Sequence, residues 1–259
     1  MKSSQSLKVA IVRPHFSVLP AQYYNSQEIG LAKSLAIRGY HVDVICIGND
    51  NTYQLTNIHS FENGSVNKIN LPYRKFPLLD LISFPKIEAF LLSQEYDYVH
   101  VNEFNEFATY QIAKMSKKHK VPFVFYQGMY NQFEGKVYSL YQTLFDWFCL
   151  NTVKKFAAMN LAKTSYAQNY LASKGFSNTK ILPVGLDTQT LNSDFSAPDN
   201  VLTLLNEIKP KHKVVLYVGN FEPRRNIKLL LSIAEQLKDQ DITFIYVGEG
   251  ELFKLAAQT

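Results

Sequence analysis

Two adjacent arginines, Arg224 and Arg225, follow a predicted strand and precede a predicted helix in the stretch YVGNFEPRRNIKLLL. In an open α/β sheet, ligands bind beyond the carboxyl ends of the strands, where a helix N-terminus offers N–H groups and partial positive charge to an anion. Two guanidinium groups there could hold a diphosphate, and Gly219 would let the ligand approach the backbone. The alternative is a pair of exposed loop cations, since a glycine-rich dinucleotide fingerprint is missing from the stretch.

The elements that must position these residues alternate along the chain. Apolar runs such as LKVAIVR, HVDVICIG and VPFVFYQG are typical of buried parallel strands. Helical patterns lie between them, the first over Gln27 to Arg38 with Gly39 as its C-terminal cap. A long aromatic helix is predicted between about Lys136 and Lys155. Repeated strand–helix alternation predicts a doubly wound α/β domain over residues 1–192.

A second domain is predicted to begin after a polar linker, residues 193–212, which includes most of the segment NSDFSAPDN. The run HKVVLYVGN, an apolar helical stripe and the run ITFIYVGEG then predict a second βαβ unit over residues 213–259, with Asn226 as the helix N-cap. Because an open α/β domain normally needs roughly 100 residues or more, this second domain is predicted to be incomplete.

Composition narrows the class of protein. The chain has 259 residues, of which 46% are hydrophobic, so a folded core is expected and intrinsic disorder is not. The net charge of +5 is spread along the sequence, which suits phosphate-bearing ligands or an anionic membrane but is most typical of a solvated surface. No nucleic-acid partner is expected. Cys46 and Cys149 have neither metal-site nor disulfide spacing, so a cytoplasmic setting and no bound metal are expected.

The order of the motifs resembles the GT-B glycosyltransferases of family 4. The stretch YVGNFEPRRNIKLLLSIAEQL followed by ITFIYVGEGEL is similar to the opening of that family's C-terminal domain. KVAIVRPHF, QEIGLAKSLAIRGYHVDVI, YDYVHVNE, VPFVFYQG and AKTSYAQNYLASKGFSNTKILPVGLDT follow the family's usual order. The resemblance spans Lys8 to Leu252. It implies a Rossmann-like N-terminal domain of a GT-B fold on the acceptor side, then the first βαβ part of a second Rossmann-like domain for the nucleotide sugar.

For the donor, the resemblance implies phosphate contacts from the loop after the first strand of the second domain. The residues it assigns to the donor phosphates are Gly219, Asn220, Arg224 and Arg225. Asn220 stands where the family has its first basic residue, so Arg224 would supply that cation, and Arg225 matches the second. The VGEG stretch matches a loop near the nucleotide, formed by Gly248, Glu249 and Gly250. The glycines would admit the ligand and Glu249 would accept a hydrogen bond, with a simple tight turn as the alternative.

For the acceptor, the resemblance points to strand ends of the first domain. The loop after the first strand has no glycine, so its polar residues are expected to shape the pocket together with Gly128; they are Gln22, Tyr23 and Tyr24. Where the family often has a histidine, this chain has Gln127, which can hydrogen-bond a sugar hydroxyl but cannot carry a proton near neutral pH. Gln127 and Glu103 are the expected catalytic residues. His100 is interpreted as packed in its strand in preference to catalytic.

The expected function is a retaining, metal-independent transfer of a sugar from a nucleotide sugar, needed as co-substrate with no further cofactor, to a glycan or lipid-linked acceptor. Two other classes stay open: a non-catalytic partner module that binds glycan or lipid, and a GT-B-fold sugar epimerase. This chain alone is expected to be inactive, since half of its donor site would be missing. The aromatic helix is most typical of core packing. The alternative, peripheral contact with the inner face of a membrane, is favoured by Lys154 and Lys155.

Overall fold

The computed structural model describes residues 6–15, 17–19, 26–76, 81–131, 135–185, 199–208 and 213–256. The chain divides into two compact units, Met1–Leu191 and Asn192–Thr259. Each unit has a parallel sheet of its own.

The first unit is built on an eight-stranded sheet. Along the chain, the strands of this unit are β1 Lys8–Val12, β2 His41–Cys46, β3 Gln54–Ser60, β4 Ser65–Asn70, β5 Arg74–Lys75, β6 Ile82–Ser83, β7 Tyr98–Asn102, β8 Phe123–Gln127, β9 Ala157–Ala162 and β10 Thr179–Ile181. The large sheet has the order β10-β9-β8-β7-β1-β2-β4-β3, and β5 pairs with β6 apart from it. Its strands pair in parallel except β3, which runs antiparallel to β4 at the edge.

Helices cover both faces of this sheet. They are α1 Gln27–Ala36, α2 Ile87–Ser93, α3 Phe107–His119, α4 Lys136–Phe148, α5 Leu150–Phe156 and α6 Ser165–Ser173. Side chains of β1 alternate between the two faces. Val9 and Ile11 pack in a core with α1, whereas Ala10 and Val12 belong to a larger core with α2 to α6. The predicted doubly wound α/β domain is therefore confirmed.

The second unit holds a smaller βαβ arrangement. Its elements are α7 Asp199–Glu207, β11 Lys213–Val218, a 3-10 turn Pro223–Arg225, α8 Ile227–Gln236, β12 Ile242–Val247 and α9 Phe253–Ala256. β11 and β12 pair in parallel over their full length. Phe221, Ile227 and Leu231 form the buried core. Leu216 and Val218 of β11 are exposed, so this sheet is open where a parallel sheet is usually covered.

Several elements differ from the sequence-based predictions. The long aromatic helix is broken into α4 and α5 at Cys149. The polar edge strand β3 was not predicted. Residues 199–207, inside the predicted linker, form α7.

Two local predictions about side chains also differ. Asn226 precedes α8, but it is left-handed with φ of 57°, and its side chain makes no capping hydrogen bond. Core packing of the aromatic helix holds for Phe145, which is buried, whereas Leu140 and Trp147 on the same helix are exposed. A helix that is apolar on two sides satisfies the same periodicity, so the sequence pattern alone could not separate its inner face from its outer face.

Candidate active site

A cavity of about 350 Å³ lies at the carboxyl edge of the first sheet. Arg13 directly follows β1, Glu103 follows β7 and Lys163 follows β9, and all three line the cavity. Glu28 of α1 and Glu106, just before α3, complete its charged lining. Parallel strands bring their C-terminal ends to one edge, so charged residues that are distant in sequence meet here.

Glu103 and Gln127, the expected catalytic residues, tie two strand-end loops together. The Glu103 carboxylate accepts hydrogen bonds from the backbone N–H groups of Gly128 (2.9 Å) and Met129 (3.3 Å). The Gln127 side chain is fully buried, accepts from the Phe104 N–H at 3.0 Å and donates to the Met129 carbonyl at 3.1 Å. The side chains of Glu103 and Gln127 thus both form hydrogen bonds with backbone groups. This geometry suits positioning of the loops, and a catalytic role for either residue stays a prediction.

The backbone at Glu103 is also unusual. Its φ is 60°, in the left-handed region that residues other than glycine seldom adopt, and such strain concentrates at functional sites. Its carbonyl oxygen accepts a hydrogen bond from the Thr109 hydroxyl at 2.6 Å. The strained turn is therefore held from both the side chain and the backbone.

Glu106 has the most unusual environment of the carboxyl groups that line the cavity. Its Oε2 atom is buried and has no hydrogen-bond partner among the described residues. Burial and repulsion from Glu103 raise the pKa of the Glu106 carboxyl to about 8. Burial also raises the pKa of Glu103, but Lys163 and the two backbone N–H groups oppose that rise. Two neighbouring carboxyl groups with different proton affinities are typical of acid–base sites.

The Arg13–Glu28 pair forms another wall of the cavity. Arg13 Nε lies 3.8 Å from Glu28 Oε1, and Asn102 Nδ2 donates to the same oxygen at 2.6 Å. The two terminal nitrogens of Arg13 donate to the carbonyl and hydroxyl oxygens of Ser17 at 2.6 and 2.9 Å. Because both charged groups are nearly buried and multiply bonded, this wall is preorganised.

Lys163 supplies a further cation, and Gly128 makes room for it. Lys163 Nζ lies 5.2 Å from the centroid of the Tyr126 ring. A Cβ atom at Gly128 would lie 2.7 Å from Cδ and Nζ of Lys163, so a larger residue would displace the lysine. The structure therefore explains this glycine by packing, and its expected contact with an acceptor stays a prediction. The other expected acceptor residues, Gln22, Tyr23 and Tyr24, lie outside the described residues.

His100 lies on the α1 face of the sheet, beside a second cavity of about 230 Å³ that shares Glu28 and Asn102 with the first. Burial lowers the pKa of His100 to about 4, so the ring is neutral near pH 7. The imidazole ring packs against Tyr126 with centroids 5.8 Å apart. This agrees with the interpretation of His100 as a packed strand residue.

The loop after β11 presents a cation directly before α8. Arg225 closes the 3-10 turn, where its backbone N–H donates to the Glu222 carbonyl oxygen at 2.9 Å, and the residue is exposed. The Asn220 side chain donates to Glu222 Oε1 at 3.1 Å, which places an acid in the same loop. The side chain of Arg224 lies outside the described part of the chain. Phosphate contacts from Gly219, Asn220 and Arg225 stay predictions.

The glycines of VGEG lie against that loop. A Cβ atom on Gly248 would lie 1.9 Å from the Gly219 carbonyl oxygen, and one on Gly250 would lie 2.7 Å from the Phe221 carbonyl oxygen. The Phe221 N–H donates to the Glu249 carbonyl at 2.8 Å, while the Glu249 side chain is exposed. Both glycines are thus required for backbone packing of two strand-end loops. The expected approach of a nucleotide to them stays a prediction.

Gly248→Ala is expected to lower the stability of the second unit by roughly 1 to 3 kcal/mol. The new methyl group would push the two loops apart, and alanine would have to adopt the left-handed backbone conformation of Gly248. The loss is measured by urea unfolding, monitored through hydrogen exchange of the backbone amides of β11 and β12. Gly30→Ala is the matched control. Nothing lies within 4 Å of a Cβ atom at Gly30, and alanine in helix α1 should stabilise by about 0.5 to 1 kcal/mol. Equal effects at both glycines would contradict the packing argument.

The chain is similar to a known protein family over much of its length. The model of Glycosyltransferase Family 4 matches residues 29–190. The chain belongs to Glycosyltransferase Family 4. The match contains Glu103, Glu106, Gln127 and Lys163, whereas Arg13 and Arg225 lie outside the matched range. No curated protein matches the chain significantly.

Solved structures support the fold expected of a family 4 glycosyltransferase. HepE (Alr3699) of Anabaena, in complex with UDP, is similar with a TM-score of 0.60 and 17% identity, over 97% of this chain and 63% of that one. The catalytic domain of starch synthase IV from Arabidopsis thaliana, bound to ADP and acarbose, has a TM-score of 0.59, 12% identity and coverage of 98% and 71%. A trehalose-phosphate synthase from Burkholderia vietnamiensis has a TM-score of 0.58 at 11% identity, with coverage of 96% and 65%.

These comparisons confirm the expected GT-B fold class for this family 4 chain, a Rossmann-like first domain and the first βαβ part of a second. The chain spans 63% of the length of HepE. Among the described residues, no helix is both long and apolar enough to span a bilayer. Within the same residues, no three His, Cys, Asp or Glu side chains are grouped closely enough to hold a metal ion.

Most of the charged residues around the cavity of this family 4 member were not predicted from the sequence. These are Arg13, Glu28, Glu106 and Lys163. Arg13 and Lys163 each follow an apolar strand without an intervening residue, so the rule that ligands bind beyond strand ends could have found them. Glu28 reaches the cavity from the first turn of α1. Nothing in its sequence position indicates this, because the contact depends on tertiary packing.

Proposed function

We propose that the protein is a retaining glycosyltransferase that moves a sugar from a nucleotide-sugar donor to a hydroxyl group of a glycan or lipid-linked acceptor. The observation that carries this proposal is the cavity at the carboxyl edge of the first sheet, where Glu106 has a raised pKa beside Glu103. Membership in Glycosyltransferase Family 4 supports the reaction class. The complexes of HepE with UDP and of starch synthase IV with ADP support a nucleotide-linked donor.

Arg225 is the proposed contact for the donor diphosphate. Its guanidinium group is exposed directly before α8, where backbone N–H groups add partial positive charge. Charge on the leaving diphosphate grows as the bond to the sugar breaks, so a fixed cation stabilises the transition state more than the ground state. Arginine can bind phosphate in a bidentate manner, which lysine cannot. Arg225 and the N–H groups of α8 would neutralise the charge that a metal ion neutralises in other enzymes, which is why we expect a reaction that needs no metal.

Glu106 is the proposed general base for the acceptor hydroxyl. The acceptor oxygen bonds to the anomeric carbon on the same face of the donor sugar from which the diphosphate leaves, so the configuration is retained. As that bond forms, the bond from the carbon to the diphosphate breaks, and the hydroxyl proton moves to the Glu106 carboxylate. A carboxyl group with a pKa of about 8 binds that proton much more strongly than an ordinary glutamate does, and a base titrating near the working pH is efficient. Among the described residues, nothing forms a hydrogen bond with the Oε2 atom, so none of them competes for the lone pairs of that oxygen.

The remaining walls suit recognition of a neutral polyhydroxyl acceptor. The Arg13–Glu28 pair and Asn102 offer fixed polar groups, and Lys163 offers a donor. The cavity of about 350 Å³ falls at the lower end of the range for small-molecule sites, roughly 300 to 1,000 Å³. It is therefore suited to one terminal residue of a larger acceptor.

The test is an assay of the full-length protein with UDP-glucose, ADP-glucose and GDP-glucose, each with and without an extract of glycans and lipid-linked glycans. We expect nucleoside diphosphate to be released with one donor, and labelled glucose to appear in an acceptor. Conversion of the nucleotide sugar without an acceptor would instead indicate an epimerase. Binding of acceptor glycans with no turnover of any donor would indicate a non-catalytic module. Either outcome would overturn the proposed transfer.

A further inference from the structure

Helix α4 carries an exposed apolar stripe on its outer side. The stripe consists of Val137, Leu140, Leu144, Trp147 and Phe148, whose exposed fractions are 49%, 60%, 44%, 74% and 66%. Steps of three and four residues place the stripe on one face of the helix. Single exposed apolar residues are ordinary, but five large ones along one helix face indicate an interaction site.

The inner side of α4 is anchored, so the helix cannot turn the stripe inward. Buried Gln142 accepts a hydrogen bond from Asn105 Nδ2 at 3.0 Å and donates to Asp146 Oδ1 at 2.7 Å. Asp146 in turn pairs with Lys174 at 2.5 Å. Phe145 packs against Phe104 with ring centroids 6.3 Å apart. Rolling the helix would break this buried polar network, which is costly.

The charges around the stripe favour an anionic partner. Over the described residues of α4 and α5, Asp146 is the one acidic side chain, and Lys174 neutralises it. Lys136 lies at the first turn of α4, and Lys154 and Lys155 lie in the last turn of α5. Along the sequence, lysines thus precede and follow the Trp, Phe and Leu side chains of the stripe, and this is the composition of helices that lie in a membrane interface.

We propose that the α4 stripe binds the surface of an anionic lipid bilayer, with Trp147 and Phe148 inserted at the level of the headgroups. The chain would lie on the membrane by this helix, independently of whether it transfers sugar. A second copy of the chain is a poorer partner. Pairing of two stripes in either direction would bring together two segments of net positive charge, because Lys174 neutralises Asp146, the one acidic side chain in the described residues of α4 and α5.

The test uses Trp147, the single tryptophan of the chain, as a reporter. The 259-residue chain is titrated with vesicles of phosphatidylcholine and phosphatidylglycerol, and with vesicles of phosphatidylcholine alone. We expect the emission of Trp147 to shift to shorter wavelength and to be quenched by lipids brominated on their acyl chains, with tighter binding to the anionic vesicles and weaker binding at high salt.

Leu140→Ser combined with Leu144→Ser keeps the reporter and removes apolar area, so vesicle affinity should fall at least about tenfold. The matched control is Leu55→Ser combined with Leu229→Ser, two comparably exposed leucines on other elements, and it should bind as the unaltered chain does. An unchanged Trp147 spectrum with anionic vesicles, or equal binding by both double variants, would overturn the proposal. So would a lipid-free shift that grows with protein concentration, because a second copy would then cover the stripe.

Discussion

Replacing Glu106 with glutamine is expected to raise the free energy of unfolding of the first unit near pH 7. Compared with the effect of the same substitution near pH 3, the gain should be roughly 3 kcal/mol. The pKa of the Glu106 carboxyl is raised from 4.5 to about 8 by burial and by repulsion from Glu103. Between these two values, the folded state holds a proton that the unfolded state has released, so unfolding becomes easier as the pH rises. Glutamine has nearly the same shape and does not ionise, so it removes this pH dependence.

Urea unfolding of both proteins at a series of pH values measures the effect. The stability difference should be smallest near pH 3, grow between about pH 4.5 and pH 8, and then level off. Glu62→Gln, on an exposed side chain, is the control and should leave stability nearly unchanged over the same range. A difference between Glu106→Gln and the unaltered protein that does not vary with pH would show that Glu106 titrates normally.

Replacing Arg225 with alanine is expected to weaken binding of the donor nucleotide by about 10- to 100-fold, because a charge-assisted bond to phosphate contributes roughly 1.5 to 3 kcal/mol. Arg225→Lys should recover only part of the affinity, since an ammonium group cannot form the bidentate contact. Calorimetric titration of the protein with UDP, ADP and GDP measures this change.

The control for Arg225 is Lys238→Ala, which removes one exposed positive charge at the other end of α8, where Lys238 pairs with Glu235 at 2.7 Å. It should leave nucleotide affinity within about twofold, because exposed charges beyond a Debye length of about 10 Å are largely screened. Equal losses of nucleotide affinity from Arg225→Ala and Lys238→Ala would show that the loss comes from the change in net charge and not from a contact with phosphate. No loss from Arg225→Ala would remove the proposed phosphate contact.

Much of the fold follows from the sequence. The apolar runs of the central strands β1, β2, β7 and β8 have one physical cause, burial on both faces of a parallel sheet, and a pattern with one cause is readable. The edge strand β3 was missed because it is largely exposed and has a polar sequence. Residues 199–207 were assigned to a linker from their neighbours' composition, although their own apolar spacing suits helix α7.

The site was less predictable because its geometry depends on tertiary contacts. Glu103 and Gln127 could be placed at the strand ends, but nothing in the sequence indicated that backbone N–H and carbonyl groups would occupy their side chains. Similarly, Gly248 has the residue type of a ligand-binding loop, whereas the structure explains it by the close approach of the Gly219 carbonyl. Only the packed chain shows that Glu106 is close enough to Glu103 for their charges to interact.

The measurement that tests the central claim most directly is the turnover of sugar transfer by Glu106→Gln in the full-length protein, with the donor that proves active and its acceptor. If the cavity binds the acceptor and Glu106 removes its proton, transfer should fall by roughly 100-fold or more. Nucleotide affinity should stay within about twofold. The transfer rate of the unaltered protein should rise with pH up to about 8, where the Glu106 carboxyl ionises. Full turnover by the variant, with an unchanged pH profile, would contradict the assignment of this cavity to the acceptor.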